Sequence, residues 1–245
     1  MIVSMARERS FDVRRKAGTE LVTSADLRSD QMIREHLTNR FPDHRFLSEE
    51  AAVDGEFDFS GPVWIIDPID GTANYAHGNP YVSISVALAL DGEPQVGVVH
   101  APFLQETYAA ARGGGSTCNG RPIHVSYVSN LSDALVGTGF PHVRSDLEQS
   151  LGRVRRLLTR CLDVRRTGSP ALDISWVAAG RLDAHCESLA PWDIAAAGLI
   201  ATEAGAVRGN LAVGDPSIPP ELRGEEFIVA TPEIFDSLCE LLKSP

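Results

Sequence analysis

The chain has 245 residues, 43% of them hydrophobic and 22% charged, and its 22 Lys and Arg against 33 Asp and Glu give a net charge of −11. That length buries a sizeable core without staples, and the apolar content is too high for a disordered polymer. The acid excess excludes a nucleic-acid backbone as the main partner, because no surplus of Lys and Arg is present to release counterions.

Residues 1–16 carry Arg7, Glu8, Arg9, Asp12, Arg14 and Arg15 where a secretory signal needs an apolar stretch. No apolar run approaches the ~20 residues of a membrane helix, so no membrane partner is expected. Between 26 and 41, Ile33, Leu37 and Phe41 recur every four positions, which predicts an amphipathic helix ended by the Phe41-Pro42-Asp43 turn. A short strand is expected over 45–48. The run Val63, Trp64, Ile65, Ile66 predicts a buried strand stopped by Asp67-Pro68, with carboxylates at its end. Val82, Ile84, Val86, Leu88 and Leu90 then alternate with Ser83, Ser85, Ala87 and Ala89, a period of two that predicts one face more buried than the other. A turn at 91–94 leads to strands over 95–100 and 107–111, completing a meander. Arg112-Gly-Gly-Gly-Ser116 has no following Gly-Lys-Ser/Thr and reads as a flexible hairpin rather than a phosphate loop.

The second half mixes its elements differently. Leu147, Leu151, Val154 and Leu158 mark a helix whose Arg153, Arg155, Arg156 and Arg160 read as a solvated face. A strand is expected over 163–166. Ser169-Pro170 caps a further helix, and Pro191 and Pro232 open two more. Short strands are expected over 182–187 and 226–230, with His185 and Cys186 as a strand-edge pair. The four cysteines, Cys118, Cys161, Cys186 and Cys239, are far apart and read as reduced thiols, which together with the N-terminus predicts a cytoplasmic protein. The natural architecture is α/β (α+β), mixed sheets with helices packed on them in two sequential halves.

The densest chemistry is Trp64-Ile-Ile-Asp67-Pro-Ile-Asp70-Gly-Thr72, where two carboxylates three residues apart leave a buried strand. Alone, this pattern is equally a capped turn. Proline between the acids lets both splay towards one point while the Ile69 carbonyl stays available, a donor set that suits a hard cation such as Mg²⁺. Ser48-Glu49-Glu50 ends another strand, and Pro191-Trp192-Asp193 puts a carboxylate in the first turn of a helix, whose dipole favours its ionised form. Asp26 closes the stretch from Lys16. Singly, these read as a charged turn, a dipole partner and a helix cap.

Together and in order, they resemble the magnesium-dependent inositol monophosphatase family. The resemblance runs from about Lys16 to Ala230 and is most specific in the segments 64–75 and 192–198 with Glu203-Ala-Gly205, supported by 22–26, 48–50, 118–120, 138–141 and 166–169. It implies the layered α/β/α/β/α sandwich of the inositol monophosphatase/fructose-1,6-bisphosphatase type, one unit over 1–245 with approximate halves 1–135, bearing the metal and catalytic motifs, and 136–245, bearing the substrate side. It implies a homodimer. It also implies two or three Mg²⁺ per site, with Glu49, Asp67, Asp70, Asp193 and the Ile69 carbonyl as ligands. Thr72 and Asp26 would position the attacking water with Glu49 as base, and Asp70, Gly71, Thr72 and Glu187 would meet the substrate. A cation is indispensable to such a site, because each carboxylate within ~4 Å of a phosphate charge repels it by about 4 kcal/mol at an effective dielectric near 20.

The implied reaction is hydrolysis of a small phosphorylated alcohol, most like inositol 1-phosphate. Histidinol phosphate, fructose 1,6-bisphosphate and a 3′-phosphonucleotide are the alternatives, and a non-catalytic regulatory or binding member is the rival of another class. Two departures bear on the leaving group. Pro170 stands where the family has an alanine whose N–H faces the substrate, and Glu187 lies six rather than seven residues before Asp193. An altered polyol preference is therefore expected.

Overall fold

The period-two runs and helix signals resolve into two sheets separated and flanked by helices. The structure, a computed structural model, describes residues 1–16, 18–51, 57–141 and 147–243, with the Leu147 side chain outside that set. Helix α1 (Ile2–Glu8) leads to a hairpin, β1 (Val13–Arg15) and β2 (Leu21–Thr23), neither of which the patterning had revealed. Then follow α2 (Ser24–Arg40), β3 (Arg45–Ser48), a short 3-10 turn (Glu49–Ala51), β4 (Pro62–Asp70), α3 (Thr72–His77), β5 (Ser83–Leu90), β6 (Glu93–Ala101), β7 (Glu106–Ala111), β8 (Ser116–Cys118) and β9 (Arg121–Pro122). The remainder comprises β10 (Leu135–Thr138), α4 (Leu147–Arg160), β11 (Asp163–Arg165), α5 (Pro170–Ala178), β12 (Ala184–Glu187), α6 (Pro191–Glu203), β13 (Val207–Asn210), β14 (Phe227–Ala230) and α7 (Pro232–Lys243).

Strands β3 to β9 form a seven-stranded sheet in chain order, parallel only between β3 and β4. The second sheet runs β11-β10-β12-β14-β13, parallel among its first three strands. Helices α5 and α6 lie between the sheets, α1 and α2 cover the outer side of the first, and α4 and α7 cover the second. This is the expected α/β/α/β/α layering.

The alternation along β5 is as expected, and the more buried face is the one of small residues. Ser83, Ser85, Ala87 and Ala89 are buried, whereas Ile84, Val86 and Leu88 are only half-buried. Small residues face α6 because the helix backbone comes so close: a Cβ on Gly97 of β6 would lie 2.8 Å from the Cα of Ala196. Close seating of backbone on backbone needs small side chains, and an added methyl there costs about 1–3 kcal/mol.

Two further expectations change. Leu151 and Leu158 are 53% and 57% exposed, while Leu157 and Arg153 turn inward and Arg153 pairs with Glu226, so α4 is rotated from its predicted stripe. His185 lies on β12, a central strand, not at an edge. The glycine-rich loop is indeed the β7–β8 hairpin, and its Gly113 and Gly115 amides hold the Glu203 carboxylate at the end of α6 at 2.8 and 2.9 Å. All four cysteines are free thiols.

Candidate active site

Strand β4 does not stop before Pro68 but continues to Asp70, with its register against β5 slipping between Asp67 and Asp70. A proline has no N–H to give the ladder, and such a slip is where a strand tolerates one. The irregularity turns the chain so that Asp67 accepts the Ile69 N–H at 3.0 Å and both acids reach one side. Gly71 follows with φ +92°, a conformation favouring glycine, and a Cβ there would lie 2.9 Å from the Tyr81 carbonyl. Helix α3 starts at Thr72.

Asp193 arrives from the other half. Pro191 opens α6, and the Asp193 carboxylate accepts the Ala190 N–H at 2.8 Å, capping the helix whose dipole favours its charge. Oxygen atoms of Asp67, Asp70 and Asp193 all lie within 4.8 Å of one another. Burial, together with repulsion from Glu49, Asp70 and Asp193, holds Asp67 well above the usual carboxylate range. Asp193 is raised by burial and by Asp70. Burial pushes Asp70 up to about 7 although Ser169, Ser83 and the Ala171 N–H all donate to its Oδ2, at 2.6, 3.0 and 2.9 Å. Three acids that resist sharing one space, Asp67 and Asp70 buried and Asp193 half-buried, fit a hard divalent cation, which supplies the missing positive charge and accepts oxygen donors.

Glu49 lines the same cavity and hydrogen-bonds to Asp67. Its Oε1 is also 3.0 Å from Nζ of Lys16, which reaches Glu50 at 2.6 Å. Burial raises the Glu49 carboxyl against the pull of Lys16. The Thr72 hydroxyl lies 2.9 Å from Oδ1 of Asp26 and 3.1 Å from the Ile69 carbonyl. Asp26 is fixed by Thr23, whose N–H and hydroxyl donate to its Oδ2 at 2.7 and 2.5 Å. This capping box at the start of α2 makes Asp26 both a helix cap and a partner of Thr72.

These groups and a facing wall enclose a cavity of about 460 Å³. The wall is built from the loop after β10 (Thr138 to Pro141), the loop into α5 (Arg166, Gly168, Ser169, Pro170) and the end of β12 (Glu187 to Ala190). Glu187 thus reaches the cavity despite its shorter spacing. Ser169 stands before α5, yet its hydroxyl makes no cap and donates to Asp70 instead. Ser83, Asp173 and Trp192 also belong here, and the sequence did not single out the first two. Ser83 lay hidden in an alternating strand and Asp173 in a helix, where a lone acid reads as surface.

The chain matches the inositol monophosphatase family over residues 1–243. It is 39% identical over 226 residues to inositol monophosphatase 2 of Solanum lycopersicum, covering 89% of this chain and 81% of that protein. Among solved structures, the extragenic suppressor protein suhB of Bartonella henselae is 31% identical, with a TM-score of 0.88 over 99% of this chain and 93% of that one. An IMPase/NADP phosphatase complexed with Mg²⁺ and phosphate is 27% identical, with a TM-score of 0.85 over 99% and 90%.

Proposed function

The chain belongs to the inositol monophosphatase family, and from that premise we propose that it is a Mg²⁺-dependent phosphomonoesterase acting on a small phosphorylated polyol such as inositol 1-phosphate. The observation that carries the reading is the convergence of Asp67, Asp70 and Asp193 within 4.8 Å at the cavity. With Glu49 and the Ile69 carbonyl they would hold two or three Mg²⁺. When bound, Mg²⁺ supplies Lewis acidity that lowers the pKa of water and offsets phosphate charge.

The protein's own groups do the rest. Thr72 orients the attacking water through its hydroxyl, with Asp26 fixing that hydroxyl, and Glu49 takes the proton. Asp70, Gly71 and Thr72 meet the phosphate side, and Glu187 receives a hydroxyl of the alcohol. Residues 1–245 act as one unit to which both halves contribute: Asp193 comes from the second, the other ligands from the first. A homodimer accords with the resemblance and a cytoplasmic location with the four free thiols; among the described residues no helix is long and apolar enough to cross a membrane. Light scattering tests the dimer.

The rival reading is a regulatory member without chemistry, which a match to a suhB protein keeps in view. A scaffold has no physical use for mutually repelling buried acids. Phosphate release from inositol 1-phosphate and a panel of sugar, histidinol and nucleotide phosphates, with and without Mg²⁺, decides between them. Turnover that persists without a divalent cation, or none at all, defeats the proposal.

A further inference from the structure

His185 and Glu187 alternate along β12, so both side chains leave the same face of that strand. Its parallel neighbour β10 is bare at the matching places. A Cβ on Gly137 would lie 2.7 Å from Nδ1 of His185, and one on Gly139, just past the end of β10, would collide with the Glu187 carboxylate. Two glycines two residues apart thus clear a trough that the imidazole and the carboxylate fill. Glycine in and beside a strand weakens it, so this trough is explained by what it seats rather than by stability.

His185 is 0% exposed, and neither ring nitrogen makes a hydrogen bond of ordinary geometry. Its nearest acceptors are carboxylates on both sides: Asp173 of α5 lies 3.6 Å from Nδ1 and Glu187 lies 3.4 Å from Nε2. Asp173 is tied at its far end by the Thr167 hydroxyl at 2.7 Å. Asp70 from β4 also acts on the ring, and Arg166 acts on Asp173. Burial works against a charged ring, whereas Glu187, Asp173 and Asp70 work for it and draw the imidazole above its ordinary value. The row Asp173, His185, Glu187 ends at the cavity.

We infer that His185 is a positioning residue for leaving-group recognition: its imidazole, with Nε2 3.4 Å from Oε2, backs the Glu187 carboxylate at the cavity wall, where that carboxylate receives a free hydroxyl of the substrate. This rests on the phosphomonoesterase reading and deepens it by naming the residue that orients the carboxylate facing the alcohol.

Kinetics with Mg²⁺ on inositol 1-phosphate and on p-nitrophenyl phosphate test it, using wild type, His185→Phe, His185→Gln, Glu187→Gln and the double variant His185→Phe/Glu187→Gln. His185→Phe is expected to raise KM for the inositol ester about tenfold while kcat falls no more than about threefold, with a shift at least about fivefold smaller for p-nitrophenyl phosphate. Gln at 185 keeps an N–H donor and recovers most of the loss. Adding His185→Phe to Glu187→Gln costs nothing further, because the ring acts only through that carboxylate. Equal KM shifts on both substrates, a Gln variant no better than Phe, or additive losses would overturn the inference. Wild-type enzyme that cleaves p-nitrophenyl phosphate but no polyol ester overturns it through its substrate class, whereas wild-type enzyme that cleaves neither brings down the phosphatase reading itself.

Discussion

The two walls of the cavity are built by different means. The wall carrying Asp67, Asp70 and Thr72 is the end of one long strand, locked by a register slip, by neighbouring serines and by a helix cap. The facing wall is assembled from the ends of β10, β12 and α5 and the loops that adjoin them, with Glu187 seated over a glycine. Positions on rigid elements hold a cation's ligands to a fraction of an ångström, while loops tolerate exchange of the groups that read the alcohol. The family pattern is intact on the first wall and altered at Pro170 and before Asp193 on the second, which is where the proposed polyol preference would be set.

Breaking the first wall should have the largest effect. Asp193→Asn is expected to lower Mg²⁺-dependent turnover at least ~10³-fold, measured as phosphate release. The same variant should melt higher than wild type without metal, since one of three repelling acids is gone, and should gain less from Mg²⁺. Thr72→Val removes the hydroxyl between Asp26 and the Ile69 carbonyl and should cost kcat about a hundredfold with KM little moved.

On the second wall, Gly139→Ala pushes a methyl into the Glu187 carboxylate and should raise KM about tenfold at nearly constant kcat, the opposite split. A pH scan probes the buried acids of the site without mutation. The Asp70 carboxyl titrates at about 7 in the folded chain against an ordinary 3.8, so the folded state binds its proton more tightly than the unfolded state. That stabilisation is complete at low pH and is lost as pH rises from about 4 to about 7, so the metal-free melting temperature should fall across that window. Saturating Mg²⁺ should oppose the fall, and calorimetry checks both. Pro170→Ala restores a backbone N–H and should have the smallest effect, lowering KM for inositol 1-phosphate by no more than about threefold.

Much of the first wall was legible because its chemistry is contiguous: Asp67, Asp70 and Thr72 lie within six residues and the run 63–66 announces a buried strand. The meander and the proline-opened helices were equally local. What escaped depended on distant partners. Nothing near Arg153 tells that Glu226 will meet it, so its inward turn, with Leu151 left exposed, could not be read from α4 alone. The period of two along β5 told that one face is buried but not which, because the approach of α6, which demands small residues there, is a long-range contact. His185 looked like an edge residue because strand order in a parallel sheet is a long-range property.

That seating of α6 on Gly97 also governs tolerance. A side-chain interface has rotamers that relax around a disturbance, but glycine against helix backbone has none. The height of α6 above the first sheet is set by hard contact, and Asp193 in its first turn rides on that height. Gly97 is thus a gauge block: a single methyl placed there, on a strand that contributes no ligand, would alter the spacing between the two halves of the carboxylate cluster.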